Sequence, residues 1–444
     1  MLKKNFFLER KKIQSVFSYL KDFKEKKTSI NSYNNFFFKN FKRKKILKVF
    51  KFFSEKIYQK QIMLRNLEID RSKKLMGVPI GIKDIFNTYD MPTSMGTNIL
   101  KNYQPGNDAR VVSNLRLEGA IIMGKTQTSE FAVHNPTETK NPINIKYSPG
   151  TSSSGSAAAV AAGIVPVAIG SQTAGSICRP ASYCGVYGFK PSFGVIPRTG
   201  ILKTSDTLDT VGILARYVED LEIIFDVIKV QGHNYPFVSK FLQKKNFFNK
   251  KKTIAVFTGP ATNIIEKSIQ KEFLKALSKI KKNFRVINYK APKIFNKAHY
   301  IHELIYAKSL SYYLKNEWKE KKIEFSNILN KMIVEGNKIN LNRYKNSLKF
   351  QSKMSKLLES QFKKFDFLIC PTTSDIAPNF KRNTSKKDHC LLFTLTGNPM
   401  ISLPILKGHN SMPVGMLLIG KKYDDYNVLQ IAKKLDNIFF DEII

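Results

Sequence analysis

Residues 149–191 constrain this chain more than any other segment, because small side chains dominate them. The segment reads PGTSSSGSAAAVAAGIVPVAIGSQTAGSICRPASYCGVYGFKP. Glycine, serine and alanine bury little apolar area, so such a run is a poor source of core stability. It suits a place where the backbone passes close to a ligand and backbone N–H groups converge on one point. The segment therefore predicts a ligand site, with Ser152 and Ser176 as candidate reactive groups.

Four further motifs accompany this segment, and together they match a known pattern. One of them, at residues 77–84, contains Lys83, and the two serines are 24 residues apart. The other three motifs lie at residues 124–132, 208–212 and 395–404. In these features the chain resembles the amidase signature family, serine hydrolases that use a Ser–Ser–Lys triad. The resemblance is dense over about residues 75–230 and looser elsewhere.

The resemblance implies a role for each member of a triad. Ser176 is the nucleophile, Ser152 bridges it to the lysine and follows a cis peptide bond, and neutral Lys83 is the base. A lysine must lose its charge near neutral pH to act as a base, and burial lowers the pKa of a lysine by disfavouring its charged form. We therefore expect Lys83 to be buried.

An oxyanion hole is also implied by the resemblance, because hydrolysis of an amide needs stabilisation of the negative charge that forms on its oxygen. The backbone N–H groups of Thr173, Ala174, Gly175 and Ser176 would form it. The same resemblance implies that Ser176 carries an acyl group, which water then removes. No metal and no cofactor is part of this chemistry.

The fold class expected is α/β, with helices on both faces of a large mixed β-sheet, as in the amidase signature fold. From residue 75 onward, short apolar runs alternate with helical patterns, which independently favours this class. The predicted strands are 78–82, 120–123, 165–169, 253–257, 284–289, 365–370, 400–403 and 414–419. The predicted helices are 154–163, 216–230, 263–282, 296–318 and 425–437.

We predict two parts along the chain. Residues 1–72 are rich in lysine and phenylalanine and lack a catalytic motif, which indicates helices that pack on the core. Residues 73–444 would form the α/β domain, with the dense signature at 75–230 and a variable substrate-pocket region at about 231–350. The Lys- and Asn-rich stretch 232–252 is typical of a surface connection.

The formal net charge of +40 raises the question of nucleic-acid binding. Lysine, asparagine, isoleucine and phenylalanine are all frequent, and all four can be encoded with A and T alone. Codon bias therefore accounts for the charge, and the basic clusters are scattered without a repeat. The four cysteines form no CxxC pair, and no apolar run is long enough to cross a membrane. We expect a soluble, cytoplasmic protein that makes no membrane contact.

Three other motifs suggest nucleotide binding, metal binding or a Ser–His pair, and each is supported less well than the triad. Residues 119–126 satisfy the phosphate-loop pattern, but their apolar interior indicates a buried strand instead. His299 and His302 have helical spacing, yet no third metal ligand accompanies them. His134 is an alternative base for a serine, although Lys83 explains more of the surrounding sequence.

The resemblance covers two functional classes, and the motifs favour one of them. A free-standing amidase acts on a small carboxamide, whereas the A subunit of glutamyl-tRNA amidotransferase hydrolyses glutamine and passes ammonia to a partner bound to tRNA. The usual segment of that subunit, GSDTGGSIRQPA, is replaced here by GSQTAGSICRPA, in which Gln172, Ala174 and the pair Cys178–Arg179 are typical of general amidases. Where that subunit has an acidic residue for the amino group of glutamine, this chain has Lys387, with Asp388 one place off.

We therefore predict an amidase with a small-molecule amide substrate. A tRNA-linked complex belongs only to the amidotransferase alternative, and a scaffold without catalysis is a third alternative. A homodimer is suggested by the resemblance alone.

Overall fold

A single mixed sheet forms the centre of the protein in the computed structural model, which describes residues 13–231, 242, 251–380 and 387–440. Eleven strands in these residues follow the order β1-β3-β2-β4-β6-β5-β10-β11-β9-β7-β8. Parallel pairs join β2 to β3 and β4, and β7 to β8 and β9, while the other neighbours are antiparallel. The strands are β1 Phe50–Phe52, β2 Pro79–Lys83, β3 Ile121–Thr126, β4 Val167–Gln172, β5 Tyr187–Lys190, β6 Thr210–Ala215, β7 Thr253–Thr258, β8 Arg285–Lys290, β9 Phe367–Pro371, β10 Met400–Lys407 and β11 Pro413–Gly420.

Helices connect and cover these strands. They are α1 Val16–Lys24, α2 Ile30–Arg43, α3 Glu55–Leu67, α4 Arg110–Leu117, α5 Ser154–Ala161, α6 Cys178–Cys184, α7 Val218–Ile228, α8 Lys267–Asn283, α9 Ala298–Tyr313, α10 Lys315–Lys321, α11 Asn327–Lys338, α12 Leu341–Gln361, α13 Cys390–Leu395 and α14 Asp425–Phe440. Short 3₁₀ turns lie between several of them, for example Glu130–Ala132 between α4 and α5. The helices of the described residues include none that is long and apolar enough to span a membrane.

Both faces of the sheet are buried, as the alternation of side chains along β9 makes clear. In β9, Phe367 and Ile369 belong to one apolar cluster, whereas Leu368 and Cys370 belong to another. Successive side chains of a strand point to opposite faces, so two clusters on one strand require packing on both sides. This confirms the predicted α/β class, with helices on both faces of a mixed sheet.

The first described part of the chain combines helices with one strand. Ser15, Ser29 and Ser54 precede α1, α2 and α3, and each side-chain oxygen accepts a backbone N–H of the first turn. The buried side chains of these helices belong to the same cluster as those of β2 and β3. The strand β1, which the sequence pattern did not predict, pairs antiparallel with β3 at one edge of the sheet.

Every predicted strand has a counterpart, and the differences concern boundaries and additions. The predicted helix at 296–318 is interrupted, since α9 ends at Tyr313 and α10 begins at Lys315. Strands β5 and β6 lie inside the signature region and were not predicted. Most of the expected surface connection at 232–252 lies outside the described residues. The division of the chain at residue 72 stays a prediction.

Candidate active site

The pairing of β2 with β4 brings the candidate base to its partners. The strands are parallel, with Ile82 opposite Ile169, so their carboxyl ends lie side by side. Lys83 is the last residue of β2, and Ser171 lies near the end of β4. The side chains at these two strand ends therefore meet at the same edge of the sheet.

Lys83 is completely buried and has only hydroxyl groups as hydrogen-bond partners among the described residues. Its Nζ lies 2.7 Å from Ser152 Oγ and 2.8 Å from Ser171 Oγ. Burial lowers the pKa of Lys83 to about 7, and the negative charge of Asp209 opposes this lowering. A large fraction of Lys83 is therefore neutral at neutral pH, as a general base requires.

Ser152 is held in a tightly packed turn before α5. A cis peptide bond joins Thr151 to Ser152, as the resemblance implies, and Ser152 is 2% exposed. A Cβ atom at Gly155 would lie 2.3 Å from the backbone N of Gln127 and 2.3 Å from the carbonyl oxygen of Val49. The close approach of these three backbone segments thus requires glycine at position 155.

Four consecutive backbone N–H groups follow β4 without a hydrogen-bond partner among the described residues. They belong to the residues predicted for the oxyanion hole, namely Thr173, Ala174, Gly175 and Ser176. Buried backbone N–H groups are almost always paired, so four in a row are unusual. Such an arrangement is suited to an anionic oxygen.

Side chains around this loop occupy the neighbouring donors. Gln172 Oε1 accepts from the N–H groups of Ile177 at 2.8 Å and Cys178 at 3.0 Å. The guanidinium of Arg179 packs over Gly175, where a Cβ atom would lie 2.7 Å from Nη2. A side chain at position 175 would therefore push Arg179 away from the loop.

Ser176 occupies the end of this loop and is 6% exposed. Its hydroxyl forms no hydrogen bond with a described residue. The structure therefore joins Lys83 to Ser152 directly, whereas Ser152 and Ser176 are not hydrogen-bonded to each other.

Several contacts of the site could not be found from the sequence pattern. Ser171 is a second hydroxyl partner of Lys83, and only the parallel register of β2 and β4 reveals it. Asp209 accepts from the hydroxyls of Thr173 and Thr204 at 2.7 Å each. Asp209 lies in the motif 208–212, but its contact with Thr173 spans 36 positions, so the sequence pattern does not show it.

The competing motifs have other roles. Residues 121–126 of the apparent phosphate loop form the buried strand β3, and Lys125 within it lies 3.3 Å from the carboxylate of Asp84. His302 Nε2 contacts the carbonyl oxygen of Thr173 at 2.7 Å, and His134 packs edge-on against Tyr306. In the part of the chain that the structure describes, no group of three His, Cys, Asp or Glu residues is placed to hold a metal.

Comparison with known proteins identifies relatives over nearly the whole chain. A family model described as Amidase matches residues 35–429. The A subunit of the glutamyl-tRNA(Gln) amidotransferase of Natranaerobius thermophilus is 30% identical over 432 residues, which cover 86% of this chain and 87% of that relative.

Solved structures resemble the chain equally broadly. A crystal structure described as an amidase has a TM-score of 0.87 at 23% identity and covers 96% of this chain and 100% of that one. The A subunit of the glutamyl-tRNA(Gln) amidotransferase of Thermotoga maritima has a TM-score of 0.77 at 26% identity, covering 98% and 96% of the two chains. The first of these likenesses bears on the fold alone.

Proposed function

The chain belongs to the amidase signature family, whose enzymes hydrolyse carbon–nitrogen bonds, and on this premise we propose that it is a free-standing amidase. It converts a carboxylic acid amide and water into a carboxylate and ammonia or an amine. The observation that carries the proposal is the hydrogen bond of 2.7 Å between a buried Lys83 and Ser152. A buried lysine with hydroxyl partners and a pKa near 7 is suited to accept a proton at neutral pH.

The reaction begins with transfer of two protons. Neutral Lys83 takes the hydroxyl proton of Ser152, and Ser152 takes that of Ser176. The Ser176 oxygen then forms a bond to the amide carbon, and the carbonyl π electrons move onto its oxygen. The link between Ser152 and Ser176 is the one that we expect to tighten when substrate binds, since catalytic hydrogen bonds are often long in the free enzyme.

The negative oxygen of the tetrahedral intermediate lies among the N–H groups of residues 173–176, which have no hydrogen-bond partner among the described residues. In a site protected from water, each such donor is worth a factor of about 10²–10³ in rate. The C–N bond breaks when the nitrogen receives the proton held by Lys83, again through Ser152. Ammonia or an amine leaves, and the acyl group stays on Ser176 as an ester.

Water completes the cycle in a second addition. Lys83, neutral once more, draws a proton from water through the hydroxyl of Ser152, and the water oxygen adds to the ester carbon. Collapse of this intermediate returns the proton to Ser176 and releases the carboxylic acid. The atoms of one water molecule are thereby divided between the two products.

The environment of Asp388 favours an amidase over a glutaminase. Its Oδ2 accepts from Nε of Arg179 at 2.7 Å, and its Oδ1 accepts from the N–H of Cys390 at 3.0 Å. Both oxygens are engaged within a buried ion pair of zero net charge. Such a pair has little attraction for the ammonium group of free glutamine.

The A subunit of a glutamyl-tRNA amidotransferase is the second candidate, and one observation favours it. The curated relative from Natranaerobius thermophilus carries that name and matches 86% of this chain. In this alternative the chain would hydrolyse glutamine as part of a complex linked to tRNA. A catalytically inactive scaffold is the third candidate.

Activity measurements on purified protein distinguish these candidates. We expect ammonia release from simple aliphatic or aromatic amides by the wild type, and loss of at least about 10⁴-fold in the Ser176→Ala variant. Activity of Ser176→Ala equal to wild type would refute the proposal. Hydrolysis of glutamine alone, with stable co-purifying partner proteins, would establish the second candidate. Absence of hydrolysis of any amide or ester would favour the scaffold.

The proposal also includes a cellular compartment and an oligomeric state. The four cysteines of the chain are all free and buried, which suits a reducing cytoplasm. A homodimer is part of the proposal on family resemblance alone, and size-exclusion chromatography with light scattering tests it.

A further inference from the structure

The three peptide groups that link Thr173 to Ser176 are each anchored by their carbonyl oxygen. His302 Nε2 contacts the carbonyl of Thr173 at 2.7 Å, and the hydroxyl of Thr394 donates to that of Ala174 at 2.6 Å. The carbonyl of Gly175 accepts from the backbone N–H of Arg179 at 2.8 Å. All three carbonyls are therefore turned toward protein donors.

Because a trans peptide is planar, anchoring its carbonyl oxygen also fixes the direction of its N–H group. The carbonyl of one residue and the N–H of the next belong to the same rigid plane and point in opposite directions. Fixing the carbonyl of Thr173 thus fixes the N–H of Ala174, and fixing that of Ala174 fixes the N–H of Gly175. These N–H groups belong to the unpaired set that we assign to the oxyanion hole.

We infer that His302 is a positioning residue, which holds the Thr173–Ala174 peptide so that the N–H of Ala174 faces the developing oxyanion. The inference rests on the proposed function and deepens it. His302 comes from α9, inside the region that the sequence pattern marks as variable, and 129 positions separate it from Thr173. The oxyanion hole therefore depends on a helix outside the signature segment.

The hydrogen bond to the carbonyl of Thr173 determines the tautomer of His302. A carbonyl oxygen only accepts, so the hydrogen of His302 must lie on Nε2. His302 is 2% exposed, and its ring packs edge-on against Tyr306 with centroids 5.7 Å apart. Burial lowers the pKa of His302 to about 4, so the ring is neutral at physiological pH. A neutral donor directs the peptide without adding a charge beside the reacting atoms.

Two substitutions of His302 test the inference. His302→Phe keeps a ring but removes the donor, whereas His302→Gln keeps a donor at a similar reach. We expect the Phe variant to lose about 10²-fold in kcat with KM changed less than about threefold, because the donor acts in the transition state. The Gln variant should recover to within about tenfold of wild type.

The affinity for a boronic acid reports on the oxyanion hole, and a general loss of packing would not change it. An alkyl boronic acid adds to a serine hydroxyl and imitates the tetrahedral intermediate, so its affinity reports the oxyanion hole. We expect the inhibition constant of His302→Phe to rise by a factor similar to its loss of kcat. The matched control is Ser311→Ala, which removes a hydrogen bond to Lys308 within the same helix and should leave both quantities within about twofold.

The outcomes separate this inference from the proposed function. A wild-type kcat in His302→Phe, or an unchanged boronate affinity despite a lower kcat, would overturn the role of His302 while the amidase stands. A wild type that neither hydrolyses amides nor binds the boronic acid would instead overturn the proposed function. If His302→Phe does not fold, His302→Leu removes the same donor with a smaller side chain, and a wild-type kcat and boronate affinity in that variant would also overturn the inference.

Discussion

Two buried lysines lie at or near the ends of neighbouring strands, and their surroundings give them opposite characters. Lys83 in β2 contacts the hydroxyls of Ser152 and Ser171, whereas Lys125 in β3 lies 3.3 Å from the carboxylate of Asp84. Both are 0% exposed. Burial lowers the pKa of Lys83 to about 7 and that of Lys125 to about 8, where the carboxylate opposes the effect of burial.

The group in contact with a buried lysine decides whether the lysine can act as a base. Burial destabilises the charged form of both side chains, but a carboxylate in contact offsets part of this effect. Lys125 is therefore half of an ion pair that holds two strand ends together. Lys83 has hydroxyls in place of a carboxylate, so it can exchange a proton near neutral pH.

The largest expected difference between the two lysines is in activity. Lys83→Met removes the proposed base, and we expect kcat/KM for an amide to fall by about 10⁴-fold or more. Lys125→Met should stay within about tenfold of wild type in correctly folded protein. Steady-state kinetics on both variants, with circular dichroism as a check of folding, measures this. Equal losses in the two variants would remove the distinction between them.

The second expected effect is a loss of stability, and it concerns Lys125 rather than Lys83. Lys125→Met leaves the carboxylate of Asp84 buried without its cation, and we expect a loss of about 3 kcal/mol in the free energy of unfolding. Urea denaturation measures it. Adding Asp84→Asn to Lys125→Met should recover part of the loss, because the uncompensated charge is gone. A stability unchanged by Lys125→Met would contradict the assignment of an ion pair.

Lys83→Met should stabilise the protein at low pH. The pKa of Lys83 is lower in the folded state than in the unfolded state, so the lysine opposes folding fully below about pH 7 and ceases to do so above about pH 10. A change from 10.5 to about 7 corresponds to roughly 5 kcal/mol, and two lost hydrogen bonds offset about 2–3 kcal/mol of it. We expect a gain of about 2 kcal/mol at pH 6 that turns into a loss of about 2 kcal/mol by pH 10, where mainly the effect of the lost hydrogen bonds remains. An identical difference at both pH values, measured by chemical denaturation, would refute this linkage.

The last prediction concerns the pH dependence of wild-type activity. Because only neutral Lys83 accepts a proton, kcat/KM should rise about tenfold per pH unit below pH 7 and level off above it. The buried His302 and His389 have pKa values lowered by burial to about 4, so they do not titrate in this range. Initial rates from pH 5 to 9 test the prediction. A flat profile would show that another group, or none, limits the reaction.

The sequence predicted most of the fold because the central strands are apolar runs bounded by turn residues. Strand β2, the small-residue helix α5 and strand β4 lie where the pattern indicated, within a few residues. Lys83 and Ser152 were paired through family resemblance, and the structure places them in contact. The oxyanion hole at residues 173–176 stays a prediction, and it is supported by four N–H groups that have no partner in the described part of the chain.

Contacts between distant elements could not be predicted in the same way. Ser171 meets Lys83 only through the parallel register of two strands, and 88 positions separate the two residues. The three residues of β1 are too few to show a strand pattern. His302 was noted for its spacing from His299, whereas its actual partner is a backbone carbonyl that no side-chain pattern reveals.

The two edges of the sheet, at β8 and β1, differ in what limits pairing with a second copy. Strand β8 at one margin carries exposed Arg285 and Lys290, and like charges repel a second copy approaching along that strand. At the other margin the three-residue β1 covers part of β3, whose six residues are entirely buried. Removal of the chain before residue 54 would uncover the edge of β3 at Lys125 and Thr126, whereas Gln61 of α3 would still occupy the backbone groups of Ile122. We therefore expect versions shortened in this way to aggregate more readily than the full chain, because an uncovered strand edge can pair with another copy.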